Sequence, residues 1–482
     1  MSETLILKNG RIIDGSGKAA YSADVLIDGE AIAAIGHIDS AAAERHIDCS
    51  GLIIAPGFID VHTHDDAIVL DAPAMLPKIS QGVTTVIVGN CGISLSPLVT
   101  GKPVEPLGLL GTQRFCFERL AAYAEAVDST RPAINVAALI GHTSLRAATM
   151  SRLDLSASAG ERSHMAQHLR MAMDDGALGF SSGVFYENAF SADEAELAEL
   201  AVTVAQSGGV YATHIRSEMD GIIDAMEEAA RTARQGGDLP LIFSHHKCAG
   251  PNNWGRTQET LALIERLSTQ QSIGLDVYPY TAGSTVLRED LVDGVIDIII
   301  TGSQEHPEMT GRLLADIAAQ WGVSQKEACR RLLPGGACYF QMCEEDMRRV
   351  LTHPRSMIGS DGLPHDVRPH PRLWGTFPRV LGHYCRELGL LQLESAIFKM
   401  TSLPATQFGL KGRGRIAPDH IADITVFDAE KIRDCSSYAD PERISEGVKL
   451  VFVNGKLAYT DQPGMPCSRN GRFIRRGQRG KP

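Results

Sequence analysis

The central part of the chain alternates short apolar runs with longer amphipathic stretches. The amphipathic stretches, such as 192–206 and 219–235, repeat their apolar residues at helical spacing. Continuous apolar strands suit a parallel sheet that is buried on both faces, so strands separated by helices predict a (β/α)₈ TIM barrel. The eight predicted strands are 58–61, 84–88, 134–140, 177–180, 209–212, 240–243, 274–277 and 356–358.

The two ends of the chain have a different pattern, with short β-rich segments and tight turns. Asn9-Gly10 near the start and Asn454-Gly455 near the end are typical turn sequences between strands. Two β-rich ends around a long middle predict one small β-sandwich domain with the barrel inserted into it. The predicted domains are 1–55 plus 411–482 for the β domain and 56–410 for the barrel.

The gap between the seventh and eighth predicted strands is too long for a single helix. The segment 285–355 contains helical patterns of its own at 311–320 and 326–333. It predicts an inserted subdomain, which is either a lid over the barrel mouth or a surface decoration.

Potential metal ligands recur at the carboxyl ends of the predicted strands. Side chains alternate along a strand, so His62 and His64 point to the same side. One histidine at a strand end is commonly an ordinary polar residue, but the carboxyl ends of barrel strands together form the catalytic face. Imidazole and thiolate groups with one carboxylate suit zinc. The predicted ligands are His62, His64, Cys91, His214, His245 and Asp361.

The composition excludes some classes of binding partner and indicates the cellular compartment. A net charge of −12, from 46 Lys+Arg against 58 Asp+Glu, argues against non-specific binding to nucleic acid or an anionic membrane. No signal peptide or membrane span is predicted. The ten scattered cysteines form no CxxC pair, which favours reduced thiols in the cytoplasm. The basic run 472–481 is interpreted as a solvated terminus, and the oligomeric state stays open.

Two motifs resemble the amidohydrolase superfamily: Pro56-Gly-Phe-Ile-Asp-Val-His-Thr-His64 and Gly359-Ser-Asp-Gly362. Further motifs through nearly the whole chain look like the N-acyl-D-amino-acid deacylases (D-aminoacylases) of that superfamily. They are Gly89-Asn-Cys-Gly92, Gly179-Phe-Ser-Ser-Gly183, Ser244-His-His-Lys247, Asp276-Val-Tyr-Pro-Tyr-Thr-Ala-Gly-Ser284 and Thr401-Ser-Leu-Pro-Ala-Thr406. The resemblance implies hydrolysis of N-acyl-D-amino acids, including the preference for the D-hand.

One position distinguishes this branch from hydantoinases and dihydroorotases, which resemble one another in a carbamylated lysine at the end of strand four. The chain has no lysine there, in 178–182, and Cys91 can supply the missing anion. By the same resemblance, a tight metal site would use Cys91, His214 and His245. A second, weaker site would use His62, His64, Cys91 and Asp361. The family pattern favours His245 over His246, which would then have a packing or supporting role.

The resemblance also implies roles in catalysis. Zinc lowers the pKa of a bound water from about 15.7 towards about 7, and Asp361 would carry the proton to the leaving nitrogen. The alternative for Asp361 is a ligand role only. For the substrate carboxylate, an arginine offers a two-pronged donor. The candidates carried over from the family motifs are Lys247, Tyr186, Tyr278, Ser284 and Arg372.

The sequence leaves two alternatives for the side chain of the substrate. Arg288 would bind an acidic side chain and favour an N-acyl-D-glutamate, whereas Met342 would line an apolar pocket for D-methionine or D-leucine. Two other functions stay open. One is a cyclic-amide hydrolase of the hydantoinase or dihydroorotase type, and the other is a non-catalytic scaffold, against which the full set of ligand residues argues.

Overall fold

The computed structural model describes residues 4–237 and 239–478. Eight parallel strands lie side by side in chain order. A parallel bridge between Thr63 and Gly362 joins the ends of the first and last strands and closes the barrel. The predicted (β/α)₈ barrel is confirmed. Its strands are Phe58–Asp60, Val83–Val88, Asn135–Gly141, Gly179–Gly183, Val210–His214, Leu241–Phe243, Ile273–Val277 and Ser356–Ile358.

The continuous apolar strands serve two cores at once. Because side chains alternate along a strand, Val86 and Val88 pack in the core between strands and helices. Ile87, between them, packs with Leu139 and Val210 in a separate core inside the barrel. All six residues of Val83–Val88 are buried, which explains why the strand shows no polar alternation.

Helices surround the barrel, and their ends are encoded locally. The helix Ala159–Asp175 begins with a reciprocal cap between Ser158 and Glu161 and ends at Gly176, whose φ is 109°. None of the helices in the described ranges combines the length and apolarity needed to cross a bilayer. The α-helices are Ile68–Asp71, Leu76–Ile79, Leu120–Thr130, His142–Thr149, Ala159–Asp175, Glu187–Phe190, Glu194–Ala205, Ile222–Gln235, Thr257–Leu267, Leu314–Trp321, Gln325–Leu332, Glu344–Thr352, Arg372–Arg379, Leu393–Met400 and Ser402–Gln407, and Val380–Glu387 is a π-helix.

β-rich segments from the two ends of the chain meet in one hydrogen-bonded sheet. Ile53–Pro56 from the first end pairs antiparallel with Ile424–Phe427 from the other. Leu7, Val25 and Phe452 belong to a core that this sheet encloses by itself. The strands of the sheet are Thr4–Ile12, Tyr21–Asp28, Ala31–Gly36, Arg45–Asp48, Ile53–Pro56, Ile424–Phe427, Val448–Val453 and Lys456–Thr460.

The insertion after the seventh strand contains a three-stranded sheet of Gly283–Val286, Ile298–Ser303 and Gly335–Tyr339. This sheet and two helices share a core of their own. Within the predicted range 285–355, the last helix, Glu344–Thr352, packs instead on Thr257–Leu267 and on the barrel strands. That helix therefore belongs to the barrel and the subdomain ends before it.

The basic segment near the end of the chain is docked on the barrel, contrary to the interpretation of 472–481 as solvated. The backbone of Val136 exchanges hydrogen bonds with Arg472 and Ile474, at 3.0 and 2.7 Å. Phe473 is only 2% exposed, and Arg476 donates to carbonyls of the barrel layer. Backbone pairing and one buried aromatic ring outweigh the hydration of the basic groups, and residues 479–482 lie outside the described ranges.

The docked segment leads to a stability prediction. Phe473→Ala removes a buried ring, so the free energy of unfolding should fall by about 3 kcal/mol or more. The measurement is the urea midpoint followed by tryptophan fluorescence. Arg469→Ala, at an exposed position three residues before this segment, is the control and should leave the midpoint in place. An unchanged midpoint for Phe473→Ala would show that the docked tail adds no stability.

Candidate metal centre

The thiol of Cys91 lies at the centre of a cluster of imidazoles at the barrel mouth. Its Sγ is 3.1 Å from His62 Nε2 and 3.3 Å from His245 Nε2. His245 Nε2 is in turn 3.0 Å from His214 Nδ1. Cys91, His214 and His245 therefore turn one donor atom each towards a common point, and these atoms lie within 4.8 Å of one another.

A second group shares the same sulfur. His64 Nε2 is 3.2 Å and His62 Nε2 is 3.5 Å from Asp361 Oδ1. Together with Cys91 these residues form a buried group of four whose donor atoms also lie within 4.8 Å of one another. The structure thus brings together the six residues proposed from the sequence, in the two sets that the family resemblance implied. His246 points elsewhere, because its Nε2 is 2.8 Å from Thr260 Oγ1.

Three of these residues adopt left-handed backbone conformations that side chains rarely take. The φ angles are 52° for Cys91, 37° for His245 and 49° for Asp361. Each such residue costs on the order of 1–3 kcal/mol and persists only where its surroundings hold it. All three lie two or three residues after the end of a barrel strand. The turn aims each side chain back over the barrel mouth.

Glycines allow the chain to pass close to Cys91. A Cβ on Gly183 would lie 2.1 Å from the carbonyl oxygen of Cys91, and one on Gly89 would lie 2.0 Å from the carbonyl oxygen of Leu139. Any side chain at either position would push strands apart. The glycines in the Gly89-Asn-Cys-Gly92 and Gly179–Gly183 segments therefore set the depth at which the sulfur lies.

A buried ion pair supports the seam where the barrel closes. Lys78 is fully buried, and its Nζ lies 2.7 Å from Asp60 Oδ2, 2.9 Å from Thr63 Oγ1 and 2.6 Å from Ser360 Oγ. These acceptors neighbour His62, His64 and Asp361 in sequence. Across the same seam, the backbone N–H of Asp361 donates to the carbonyl of His62 at 2.7 Å. Lys78 therefore holds the first and last strands at the spacing that the ligands need.

Two further carboxylates face the histidines from behind. Glu218 Oε1 is 3.0 Å from His245 Nδ1, and Asp276 Oδ1 is 3.2 Å from His62 Nδ1. Sequence reasoning assigned no role to either residue. A signal was present for both: Glu218 is four positions after His214, and Asp276 is a charged residue inside a wholly buried strand.

The electrostatics favour the anionic forms of the two central acids. Burial raises the pKa of the Cys91 thiol, but the neighbouring His62 and His245 hold it well below its usual range. Burial also opposes ionisation of Asp361, and there the charge of Arg372, followed by that of His62, holds the pKa well below its usual range. A thiolate and a carboxylate among four imidazoles are the donors that zinc prefers. The residues present therefore fit a metal ion of this kind.

Comparison with known proteins agrees with this chemistry. The sequence profile of the amidohydrolase family matches residues 45–459. The chain belongs to the amidohydrolase family. Within it, the chain is 48% identical to a D-aminoacylase of Alcaligenes xylosoxydans xylosoxydans over 95% of both chains. It is 46% identical to an N-acyl-D-glutamate deacylase of the same organism, over 98% of this chain and 96% of that one.

A solved structure has the same fold throughout. It is a crystal structure of N-acyl-D-glutamate deacylase from Bordetella bronchiseptica, complexed with zinc and a phosphonate inhibitor that mimics the tetrahedral intermediate of the reaction. It matches with a TM-score of 0.95 and 43% identity, covering 98% of this chain and 100% of that chain. The resemblance to the D-aminoacylase branch is thereby confirmed.

In this amidohydrolase a cavity opens above the candidate ligands. Its polar wall carries Lys247, Tyr186, Tyr278 and Ser284, four of the predicted substrate-binding residues. The hydroxyl of Tyr278 is buried without a hydrogen-bond partner in the described structure. Thr285, Leu291 and other subdomain residues complete the lining, so the subdomain forms one wall of the cavity.

Three other predicted contacts lie outside this lining. Arg372 is behind Tyr278, with its Nη1 2.9 Å from Asp361 Oδ2 and its guanidinium 4.5 Å from the Tyr278 ring. Arg288 is paired with Asp290 at 2.6 Å, and its guanidinium lies over the ring of Phe185, 4.4 Å from the ring centre. Met342 packs with Tyr278 and Tyr280 beside a smaller cavity.

The seam generates a prediction about stability. Lys78→Met leaves Asp60 buried without its cation, so the free energy of unfolding should fall by about 3–5 kcal/mol. The double variant Asp60→Asn/Lys78→Met should recover part of that loss, because the unpaired charge is gone. Urea midpoints of the three proteins test this order. Lys102→Met at an exposed site is the control, and equal midpoints for Lys78→Met and wild type would contradict the seam's role.

Proposed function

We propose that the chain is a zinc-dependent hydrolase that cleaves the amide bond of N-acyl-D-amino acids to a carboxylate and the free D-amino acid. The observation that carries the proposal is the Cys91-centred cluster, with Asp361 at its edge and a cavity above it. Relatives that cover nearly the whole chain are named for this activity. The zinc in the similar crystal structure supports the choice of metal.

The two ligand groups support two metal positions. Cys91, His214 and His245 form the tight position, because two neutral imidazoles and a thiolate are ligands that zinc prefers. This group contains no carboxylate ligand. His62, His64 and Asp361 share Cys91 to form a second, weaker position. When bound, the metal supplies Lewis-acid chemistry, polarising the acyl carbonyl and lowering the pKa of water.

Asp361 is the proton carrier of the mechanism. Its Oδ2 is held by Arg372 at 2.9 Å, and its Oδ1 faces His64 across 3.2 Å. The carboxylate takes a proton from the attacking water as the water oxygen bonds to the acyl carbon. It then gives that proton to the amide nitrogen as the C–N bond breaks. The products are the acyl carboxylate and the D-amino acid.

The polar wall binds the substrate's α-carboxylate. Lys247 Nζ donates to Glu218 and to the carbonyl of His245 and lies 2.8 Å from His245 Nδ1. When His245 carries its proton on Nδ1, as a metal-binding ring does, the third proton of Lys247 is left for a ligand. The unpartnered hydroxyl of Tyr278 lies in the same wall, with Lys247 Nζ 6.0 Å from the centre of its ring. Arg372 contributes from behind by fixing both Asp361 and the Ser284 backbone.

The rest of the cavity favours an apolar substrate side chain. Its lining includes Leu109, Phe185, Met219, Leu291 and Leu363, and Lys247 is the one lysine or arginine among the described lining residues. With Lys247 assigned to the α-carboxylate, a D-glutamate side chain would be buried without a cation, which is costly. We therefore propose D-methionine or D-leucine as the substrate side chain, in place of the acidic one expected from Arg288.

A cyclic-amide hydrolase is the weaker alternative. The fourth strand, Gly179–Gly183, ends in serines and a glycine, so it offers no lysine for carbamylation. The reducing cytoplasm is the proposed location, because the ten cysteines are all free thiols and Cys91 must stay reduced to bind metal.

Replacing Asp361 tests the mechanism. Asp361→Ala should lower kcat by about 10²–10⁴-fold, because the proton carrier is gone, while zinc stays bound at Cys91, His214 and His245. Kinetics with an N-acetyl-D-amino acid and the zinc content of the purified variant are the two measurements. Asp293→Ala, at an exposed position, is the control. Substantial remaining turnover would remove the proposed base.

A panel of N-acetyl-D- and L-amino acids tests the substrate. We expect kcat/KM for D-methionine or D-leucine derivatives to exceed that for the D-glutamate derivative by at least about tenfold, equivalent to about 1.4 kcal/mol. L-enantiomers and hydantoins should be poor substrates. Arg288→Met should change kcat/KM for the preferred substrate by less than about threefold. A selective loss of D-glutamate hydrolysis in that variant would restore the acidic interpretation.

A further inference from the structure

Each histidine of the metal centre has a second ring nitrogen that must also be satisfied. A neutral imidazole that binds a metal through one nitrogen carries its proton on the other. That N–H almost always donates to a carboxylate, a carbonyl or water, and the acceptor fixes the ring's tautomer and orientation. The acceptors behind His62, His214 and His245 therefore decide whether these rings can bind metal.

Glu218 faces both histidines of one ligand group. Its Oε1 is 3.0 Å from His245 Nδ1, and its Oε2 is 3.7 Å from His214 Nε2. The His214 nitrogen is buried and has no hydrogen-bond partner in the described structure. Glu218 itself is 5% exposed, so water competes little for its oxygens. One carboxylate thus contacts the outer nitrogen of His245 directly and lies within ion-pair distance of the outer nitrogen of His214.

Because Lys247 lies beside His245, the Glu218 carboxylate is needed to keep His245 in the tautomer that binds metal. Its Nζ is 2.6 Å from Glu218 Oε1 but also 2.8 Å from His245 Nδ1. An ammonium that donates to Nδ1 would leave the imidazole proton on Nε2, the nitrogen that faces Cys91. That tautomer cannot bind a cation. By attracting the ammonium and accepting from Nδ1–H, Glu218 keeps Nε2 free of its proton.

Asp276 has the corresponding place behind the other group. Its two oxygens lie 3.2 and 3.3 Å from His62 Nδ1, and the residue is 2% exposed. His62 Nε2 then faces Cys91 and Asp361, at 3.1 and 3.5 Å. Oδ1 of Asp276 also accepts the backbone N–H of His245 at 2.9 Å, a bond that a neutral amide oxygen can replace.

We infer that Glu218 and Asp276 are separate positioning residues for the two metal positions. Glu218 sets the affinity of the position formed by Cys91, His214 and His245, by preventing Lys247 from taking His245 Nδ1. Asp276 sets the affinity of the position that includes His62. The inference rests on the two-position zinc centre proposed above, and it adds which buried carboxylate controls which position.

Zinc binding to the purified apoprotein tests the inference without any activity assay. Competition with a chromogenic chelator gives the number of zinc equivalents and the Kd of each. Glu218→Gln should weaken the tighter equivalent by about 10–100-fold. Asp276→Asn should leave that equivalent within about threefold of wild type and weaken the other by about 10–100-fold, because the amide NH₂ donates to His62 Nδ1.

A double variant separates tautomer control from simple structural support. In Glu218→Gln/Lys247→Met the competing ammonium is absent, so the tighter equivalent should bind at least about tenfold better than in Glu218→Gln alone. A role for Glu218 in packing alone would give no such recovery. Glu259→Gln, at an exposed carboxylate, is the matched control and should bind zinc as wild type does. Circular dichroism of each apoprotein checks the fold.

The outcomes that overturn the inference are distinct. If Glu218→Gln and Asp276→Asn weakened the binding of the same zinc equivalent equally, the two carboxylates would not control separate metal positions. The same would follow if neither variant weakened zinc binding. An unrecovered double variant would remove the tautomer argument. If Glu218→Gln does not fold, Glu218→Asp, which keeps the charge but withdraws it from His245, should show the same loss. A wild-type protein that binds no zinc would instead contradict the proposed function itself.

Discussion

The site depends on one buried sulfur atom, Cys91 Sγ, which both ligand groups share. A buried thiolate is costly unless cations or strong donors surround it. Here the imidazoles of His62 and His245 approach it within 3.1 and 3.3 Å. These rings come from different strands of the barrel, so the sulfur can be satisfied only when the whole barrel is closed. The cluster around Cys91 can therefore form only when the barrel is closed.

The backbone reflects this requirement. Left-handed turns at Cys91, His245 and Asp361 are unfavourable by themselves. They are held by hydrogen bonds from other strands, such as the bond from His245 N–H to Asp276 and that from Asp361 N–H to the His62 carbonyl. The buried Lys78 network fixes the spacing of the seam below them. These unfavourable backbone conformations therefore persist because contacts from the surrounding strands hold them in place.

The cavity lining combines polar and apolar groups. Lys247 and Tyr278 bring polar groups to the lining, and Phe185 and Leu291 bring apolar ones. Several residues have two tasks. Lys247 lines the cavity and also touches His245, which explains why its position needs the counter-charge of Glu218. Arg372 pairs with Asp361 and also lies against the ring of Tyr278.

The sequence by itself determined the barrel, the β-rich ends and the residue types of the candidate metal centre. These depend on local information: the alternation of side chains along a strand, the turn residues between strands, and ligands such as His62 and His64 two positions apart at a strand end. Because parallel strands in a barrel all end on one face, strand ends alone indicated that Cys91 and Asp361 would meet.

Only the tertiary structure decided what each charged group contacts. Asp290 pairs with Arg288, Glu218 and Asp276 lie beside Nδ1 of His245 and His62, and Phe473 is buried on the barrel. An ion pair or a hydrogen bond depends on distances of a few tenths of an ångström between segments far apart in sequence. Neither residue type nor spacing along the chain contains those distances, because packing of the whole barrel sets them.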